Sequence, residues 1–151
     1  GSRLGREKAM KDGKRVARSR EAFFSSTDVV SLHVRLTPST KGIIKASDFA
    51  LMSRDAVFVN TSRAGLIEQG AMLAGLNAGR PGMAALDVFD IEPINDIEDP
   101  LSCHENIICT PHIGFVTKEE FEQQFSQIFD QIIAFDHNNP INMVNPKVWE
   151  K

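Results

Sequence analysis

Four short apolar runs limit most strongly what this chain can fold into: Val29 to Leu32, Ala56 to Val59, Met83 to Leu86 and Ile107 to Cys109. None alternates polar with apolar residues, the pattern expected of strands buried on both faces. Helix-length segments separate them. The first carries Phe49, Leu51 and Met52 behind Ser47, a candidate cap. The second is expected from about Glu68 to Ala78, with Gly79 and then Pro81 to end it. Strand, helix, strand, helix at this spacing predicts an α/β fold built on a parallel sheet with crossover helices.

The flanks are helical in pattern. Arg6 to Lys11 suits a short helix stopped by Gly13, and Val16-Ala17 is at most a two-residue strand. Ser19 is placed to cap a second helix, Arg20 to Ser25, that would bury Phe23 and Phe24. Thr117 to Glu120 reads as a capping box, followed by an apolar stripe of Phe121, Phe125, Ile128, Ile132 and Phe135. Asn138-Asn139-Pro140 ends that helix, and the tail from Ile141 to Lys151 has no clear period.

Composition narrows the function classes. The 151 residues are 42% hydrophobic and 25% charged, which excludes collagen-like and disordered chains. A net charge of −3 gives no sign of a nucleic-acid surface. No apolar run approaches the ~20 residues of a membrane helix. Two cysteines are too few for a disulfide scaffold, so a reducing compartment, the cytoplasm, is expected. The opening Gly1-Ser2, with no Met, reads as a cleavage scar or an internal start.

In open α/β sheets ligands bind outside the carboxyl ends of the strands. The polar residues of this chain gather there. His33 follows the first run, Asn60 to Arg63 the second, Asp87 the third, and Thr110-Pro111-His112 the fourth. Arg63, Glu92 and His112 make the sharpest case. An Arg can hold a carboxylate bidentately, a His can pass a proton near neutral pH, and a Glu bonded to that His fixes its tautomer. Their plain alternatives are a surface Arg, a loop carboxylate before Pro93 and a core-edge His. Two other constellations fit less well. Cys103, His104, Cys109 and His112 match no usual zinc spacing, and no metal is expected. Ser62, Asp87 and His112 lack the G-x-S-x-G elbow of an α/β hydrolase.

At these residues the sequence resembles the D-isomer-specific 2-hydroxyacid dehydrogenases, the family of phosphoglycerate and glycerate/hydroxypyruvate dehydrogenases. The segments that carry the resemblance are Asp28 to His33 with Leu36 to Thr40, Val59 to Arg63, Gly82 to Phe89, Glu92-Pro93 and Thr110 to Gly114. The resemblance runs from about Asp28 to Pro146. It implies a Rossmann-type NAD(P)-binding domain over residues 1–139, a tail over 140–151, and an oxidoreductase acting on a small D-2-hydroxy or 2-keto acid. By the same resemblance His112 is the general acid/base, Glu92 its partner, and Arg63 the group that binds and orients the substrate. The implied cofactor contacts are Val34, Thr61, Ser62, Arg63, Asp87, His112, Ile113, Gly114 and Phe115. NAD is the implied cofactor, with NADP as the variant, and a homodimer is the implied assembly. The family also contains dinucleotide-sensing corepressors, so an NAD(H)-responsive binding protein is the second reading.

The sequence departs from the family at several points. Arg35 stands where Pro is usual, and Ala64 where Gly is usual after the Arg. The G-x-G-x-x-G turn that holds a dinucleotide's pyrophosphate is not in this sequence. The chain is therefore expected to be a fragment, without the substrate domain and the first strands of the sheet. The Val29 strand should then form a sheet edge covered by a second copy, with disorder before Asp28.

Overall fold

The computed structural model describes residues 3–96 and 98–149. The expected scar at Gly1-Ser2 lies outside them. Four strands, β1 (Val29–Leu32), β2 (Val57–Asn60), β3 (Met83–Leu86) and β4 (Ile107–Cys109), form one sheet in the order β1-β2-β3-β4. Every neighbouring pair is parallel. The helices are α1 (Arg3–Lys11), α2 (Arg20–Ser25), α3 (Ala46–Phe49), α4 (Ala71–Asn77) and α5 (Lys118–Asp136). The chain divides into two compact units, Gly1–His112 and Ile113–Lys151.

In the first unit the register decides where chemistry can stand. Leu32 pairs with Asn60, Asn60 with Leu86, and Leu86 with Cys109. All four strands therefore end level, and His33, Thr61, Asp87 and Thr110 follow in a row along one edge. The core is one-sided. Val30, Leu32, Phe58, Ala84 and Leu86 are buried with Phe49 and Met52 from the α3 region, and with Met72 and Leu76 of α4. On the opposite face Val29 and Met83 are exposed. The expectation of strands buried on both faces is thus corrected to alternating burial. The α3 region and α4 pack together over the same face of the sheet, and residue type alone cannot show what covers the second face.

Local chemistry explains the element ends. Ser19 Oγ accepts from the Ala22 N–H at 3.0 Å, as expected of the cap of α2. Only Phe24 of its two phenylalanines is buried, and Phe23 lies 41% exposed, edge-on to it. Ser47 is not the cap of α3. That helix starts at Ala46, and the Asp48 carboxylate accepts from the Lys45 N–H at 2.7 Å. α4 begins three residues later than expected because Gly70, at φ +75°, breaks the backbone before it. Gly82 has a different role. A Cβ there would lie 1.8 Å from the Arg54 carbonyl oxygen, so the chain entering β3 passes too close to its neighbour for a side chain.

Beside β1, Val16-Ala17 is not a strand, and the residues before Asp28 fold into α1 and α2 rather than being disordered. Arg20 ties α2 to the start of α3. Its Nε and Nη2 donate to the two Asp48 oxygens at 2.6 Å each, and Nη2 also reaches the Ile43 carbonyl. In the second unit Thr117 Oγ1 accepts from the Glu120 N–H at 3.1 Å, which starts α5 where the capping box predicts. The apolar stripe from Phe121 to Phe135 is exposed throughout. Within that unit the Phe135 ring packs 5.6 Å from that of Trp149. Among the described residues no helix is long and apolar enough to cross a membrane.

Candidate active site

The site is assembled from the level strand ends. At the end of β2, the side chain of Asn60 is fully buried and does two jobs. Its Oδ1 accepts from the Ser62 N–H at 3.0 Å, and its Nδ2 donates to the Arg63 carbonyl at 2.9 Å. One amide therefore closes the Thr61 to Arg63 turn from inside, while the Arg63 guanidinium stays at the surface and donates to the Ser62 carbonyl at 2.6 Å. Ser62 Oγ in turn donates to the Val34 carbonyl at 2.8 Å, joining the β2 turn to the segment after β1.

After β3, Asp87 is buried and accepts from the Thr110 hydroxyl. The backbone repeats the link, with the Asp87 N–H donating to Asn60 and the Thr110 N–H to Leu86, both at 3.0 Å. The turn beyond Asp87 carries Glu92. Its Oε1 accepts from the Phe89 N–H at 2.8 Å, and its Oε2 meets His112 Nδ1 at 2.6 Å. After β4, His112 adopts φ +56°, a left-handed conformation that costs a non-glycine residue on the order of 1 kcal/mol. Its N–H bonds back to the Thr110 carbonyl at 3.0 Å, a tight turn that carries the ring to Glu92.

The electrostatics follow from that geometry. The His112 hydrogen bond, then the Phe89 N–H, hold the Glu92 carboxyl below its ordinary value, and the Arg63 charge acts in the same direction. An ionised Glu92 is an acceptor only, so His112 carries its proton on Nδ1 and proton exchange falls to Nε2. Both side chains are about one-third exposed, open to a reactant. They line a cavity of about 500 Å³ whose other walls include Phe89, Pro93, Ile94 and Pro111. Cys109 borders it as well, and burial pushes its thiol up, away from thiolate reactivity. Among the described residues no cluster of three or more His, Cys, Asp or Glu side chains could hold a metal.

A bonded Glu–His pair and an arginine thus stand at the edge where the parallel strands end, the edge at which open α/β sheets bind ligands. Residues 2–114 match the NAD-binding domain of the D-isomer-specific 2-hydroxyacid dehydrogenases. The chain belongs to that family. Its 2-hydroxyacid dehydrogenase relatives include a glycerate dehydrogenase of Methylorubrum extorquens, 37% identical over 82% of this chain and 40% of that one. The crystal structure of an oxidoreductase from Ralstonia solanacearum superimposes with a TM-score of 0.87 at 45% identity, covering 97% of this chain and 42% of that one. A D-isomer-specific 2-hydroxyacid dehydrogenase from Xanthobacter autotrophicus Py2, solved with NADPH, gives 0.61 at 29% identity over 85% of this chain and 52% of that one. The chain thus spans between about one-fifth and two-fifths of the length of the curated relatives it matches.

Within this domain the structure joins Glu92 to His112, while Arg63 follows β2 on the same sheet edge and lines a different cavity, with residues 33–36. Val34, Thr61 and Ser62 gather at the ends of β1 and β2, and Asp87 lies buried behind Thr110. Ile113, Gly114 and Phe115 belong to the second unit. Sequence reasoning missed the double role of Asn60, the Phe89 N–H that holds Glu92, and the left-handed backbone of His112. Only the first had a signal, a polar residue directly after the apolar run Ala56 to Val59.

Proposed function

We propose that the protein containing this chain is an NAD(P)-dependent dehydrogenase that interconverts a small D-2-hydroxy acid and the corresponding 2-keto acid. The observation that carries the reading is the Glu92–His112 pair at 2.6 Å, on the sheet edge where Arg63 follows β2.

The strand-end residues suit a dinucleotide. The Thr61 hydroxyl stands beside cationic side chains with no carboxylate in the same cavity, a donor set for phosphates and ribose, and the Ser62 hydroxyl, which donates to the Val34 carbonyl, keeps its oxygen as an acceptor. Val34, Thr61, Ser62, Arg63, Asp87 and His112 would hold the cofactor. When bound, it supplies or accepts the hydride at substrate C2.

The chain's own residues do the remaining work. Arg63 binds the substrate carboxylate bidentately and polarises the adjacent carbonyl. His112 delivers a proton from Nε2 to the carbonyl oxygen in reduction and takes it back in oxidation. Glu92 holds the ring in one tautomer and stabilises the imidazolium form. The Phe89 N–H fixes Glu92 in turn.

Steady-state oxidation of NADH and NADPH by the intact protein with glyoxylate, hydroxypyruvate and 3-phosphohydroxypyruvate tests this reading. Turnover of at least one acid is expected, with loss in His112→Asn. Tight NADH binding without turnover of any 2-keto acid would instead support the dinucleotide-sensing alternative.

A further inference from the structure

Every hydrogen-bonding group of Thr110 is engaged. Its N–H donates to the Leu86 carbonyl at 3.0 Å, and its hydroxyl donates to the buried Asp87 carboxylate. Its carbonyl accepts from the His112 N–H at 3.0 Å. The first two bonds fasten residue 110 to the end of β3. The third closes a three-residue turn around Pro111, whose ring fixes φ at about −65°, close to what such a turn needs. His112 leaves that turn at φ +56°, with Nδ1 2.6 Å from Glu92 Oε2.

Little freedom remains between Asp87 and the imidazole. A single backbone bond at Thr110 is one pivot, about which the turn could rock. The hydroxyl bond adds a second fixed point, and Asp87 is itself held by its N–H on the Asn60 carbonyl at 3.0 Å. A left-handed non-glycine residue persists only where its surroundings impose it. Both halves of the pair therefore hang from the segment after β3, Glu92 through the Phe89 N–H and His112 through Asp87 and Thr110.

We propose that Thr110 is a positioning residue for His112, its hydroxyl on Asp87 setting the turn that keeps the imidazole on Glu92. The inference rests on the dehydrogenase reading only for what the ring does once it is placed.

The first test needs no activity. Ring-nitrogen spectra of the intact protein, labelled with ¹⁵N at histidine, are recorded where the imidazoles are neutral, and His112→Asn assigns the signal. The parent and Thr110→Ser should carry the His112 proton on Nδ1. Thr110→Val, which keeps the shape and loses the donor, should move the signal toward a mixture of tautomers. Thr110→Ala removes the hydroxyl without setting a methyl group against the carboxylate, and it serves in the same way if the valine variant does not fold. An unchanged ring in the folded variant would overturn the proposal.

The second test is kinetic. In Thr110→Val the kcat for 2-keto acid reduction should fall about tenfold with NADH affinity little changed, and Thr110→Ser should recover most of it. The penalty should shrink in a Glu92→Gln background, where the pair is already broken. A loss confined to NADH affinity, with the ring signal unmoved, would mean that Thr110 acts through Asp87 on the cofactor and not on His112. If the ring signal moves as described but the parent reduces no 2-keto acid, the positioning role stands and the dehydrogenase reading fails.

Discussion

The carboxylate of Glu92 is held at both oxygens, by the His112 ring at 2.6 Å and by the Phe89 N–H at 2.8 Å. A carboxylate fixed in this way cannot turn aside when the imidazole gains or loses its proton. The dyad is thus set by the backbone between β3 and Glu92 as much as by its two side chains.

Glu92→Gln keeps a hydrogen-bonding side chain but removes the charge. The imidazolium form of His112 loses its partner, so the alkaline limit of 2-keto acid reduction should move to lower pH. The maximal rate should fall on the order of 10- to 100-fold. In the parent protein Glu92 is held below its ordinary value of 4.5, so the charged partner persists above that pH and is lost only as pH falls through the lowered value. Rate profiles against pH for both proteins check this, and superimposable profiles would count against the pairing.

Arg63→Ala should cost on the order of 2–4 kcal/mol in kcat/KM for the keto acid, some tens to a thousandfold, and far less in dinucleotide affinity. Arg63→Lys should recover little, because an ammonium cannot make the two parallel bonds. The contrary result is a collapse of cofactor binding with normal turnover at saturating cofactor.

Asn60→Ala leaves the Ser62 N–H and the Arg63 carbonyl without their buried partner. A stability loss of about 2–4 kcal/mol is expected. Activity should fall through Arg63, so the kinetic penalty of Asn60→Ala should shrink in an Arg63→Ala background. Chemical denaturation and a double-mutant cycle measure the two effects separately.

Asp48 is nearly fully buried. Burial pushes its carboxyl up, but the bidentate Arg20 bond and the Lys45 N–H outweigh that and hold it below its ordinary 3.8. A depressed folded value means the contribution is present above pH 3.8 and is lost as pH falls below it. Asp48→Asn should therefore destabilise the fold by about 1–3 kcal/mol at pH 7. It should also flatten the loss of stability between pH 4 and pH 2. Thermal melts across that range are the measurement.

Gly82→Ala places a methyl group against the Arg54 carbonyl, and backbone cannot yield as a side-chain tip would. A loss on the order of 3 kcal/mol or more is expected. A melting temperature within a degree of the parent would show that the two segments can separate freely.

The apolar runs and the helix-length segments between them determined the four strands and their parallel pairing, and the polar residues after each run marked the edge where they gather. Arg63 and His112 were legible as polar residues just past strand ends and Glu92 as a carboxylate in the loop after β3, and the capping signals at Ser19 and Thr117 marked true helix starts. Tertiary structure alone decided the rest. Whether Phe23 or Phe24 turns inward, and which strand face is covered, depends on elements far away in the chain. The register that levels Leu32, Asn60, Leu86 and Cys109 comes from pairing between segments, not from any one of them. The Glu92–His112 contact needs a left-handed backbone at residue 112, a conformation paid for by the surrounding bonds. Propensity and periodicity are local properties, whereas distance between side chains is set by the packed whole.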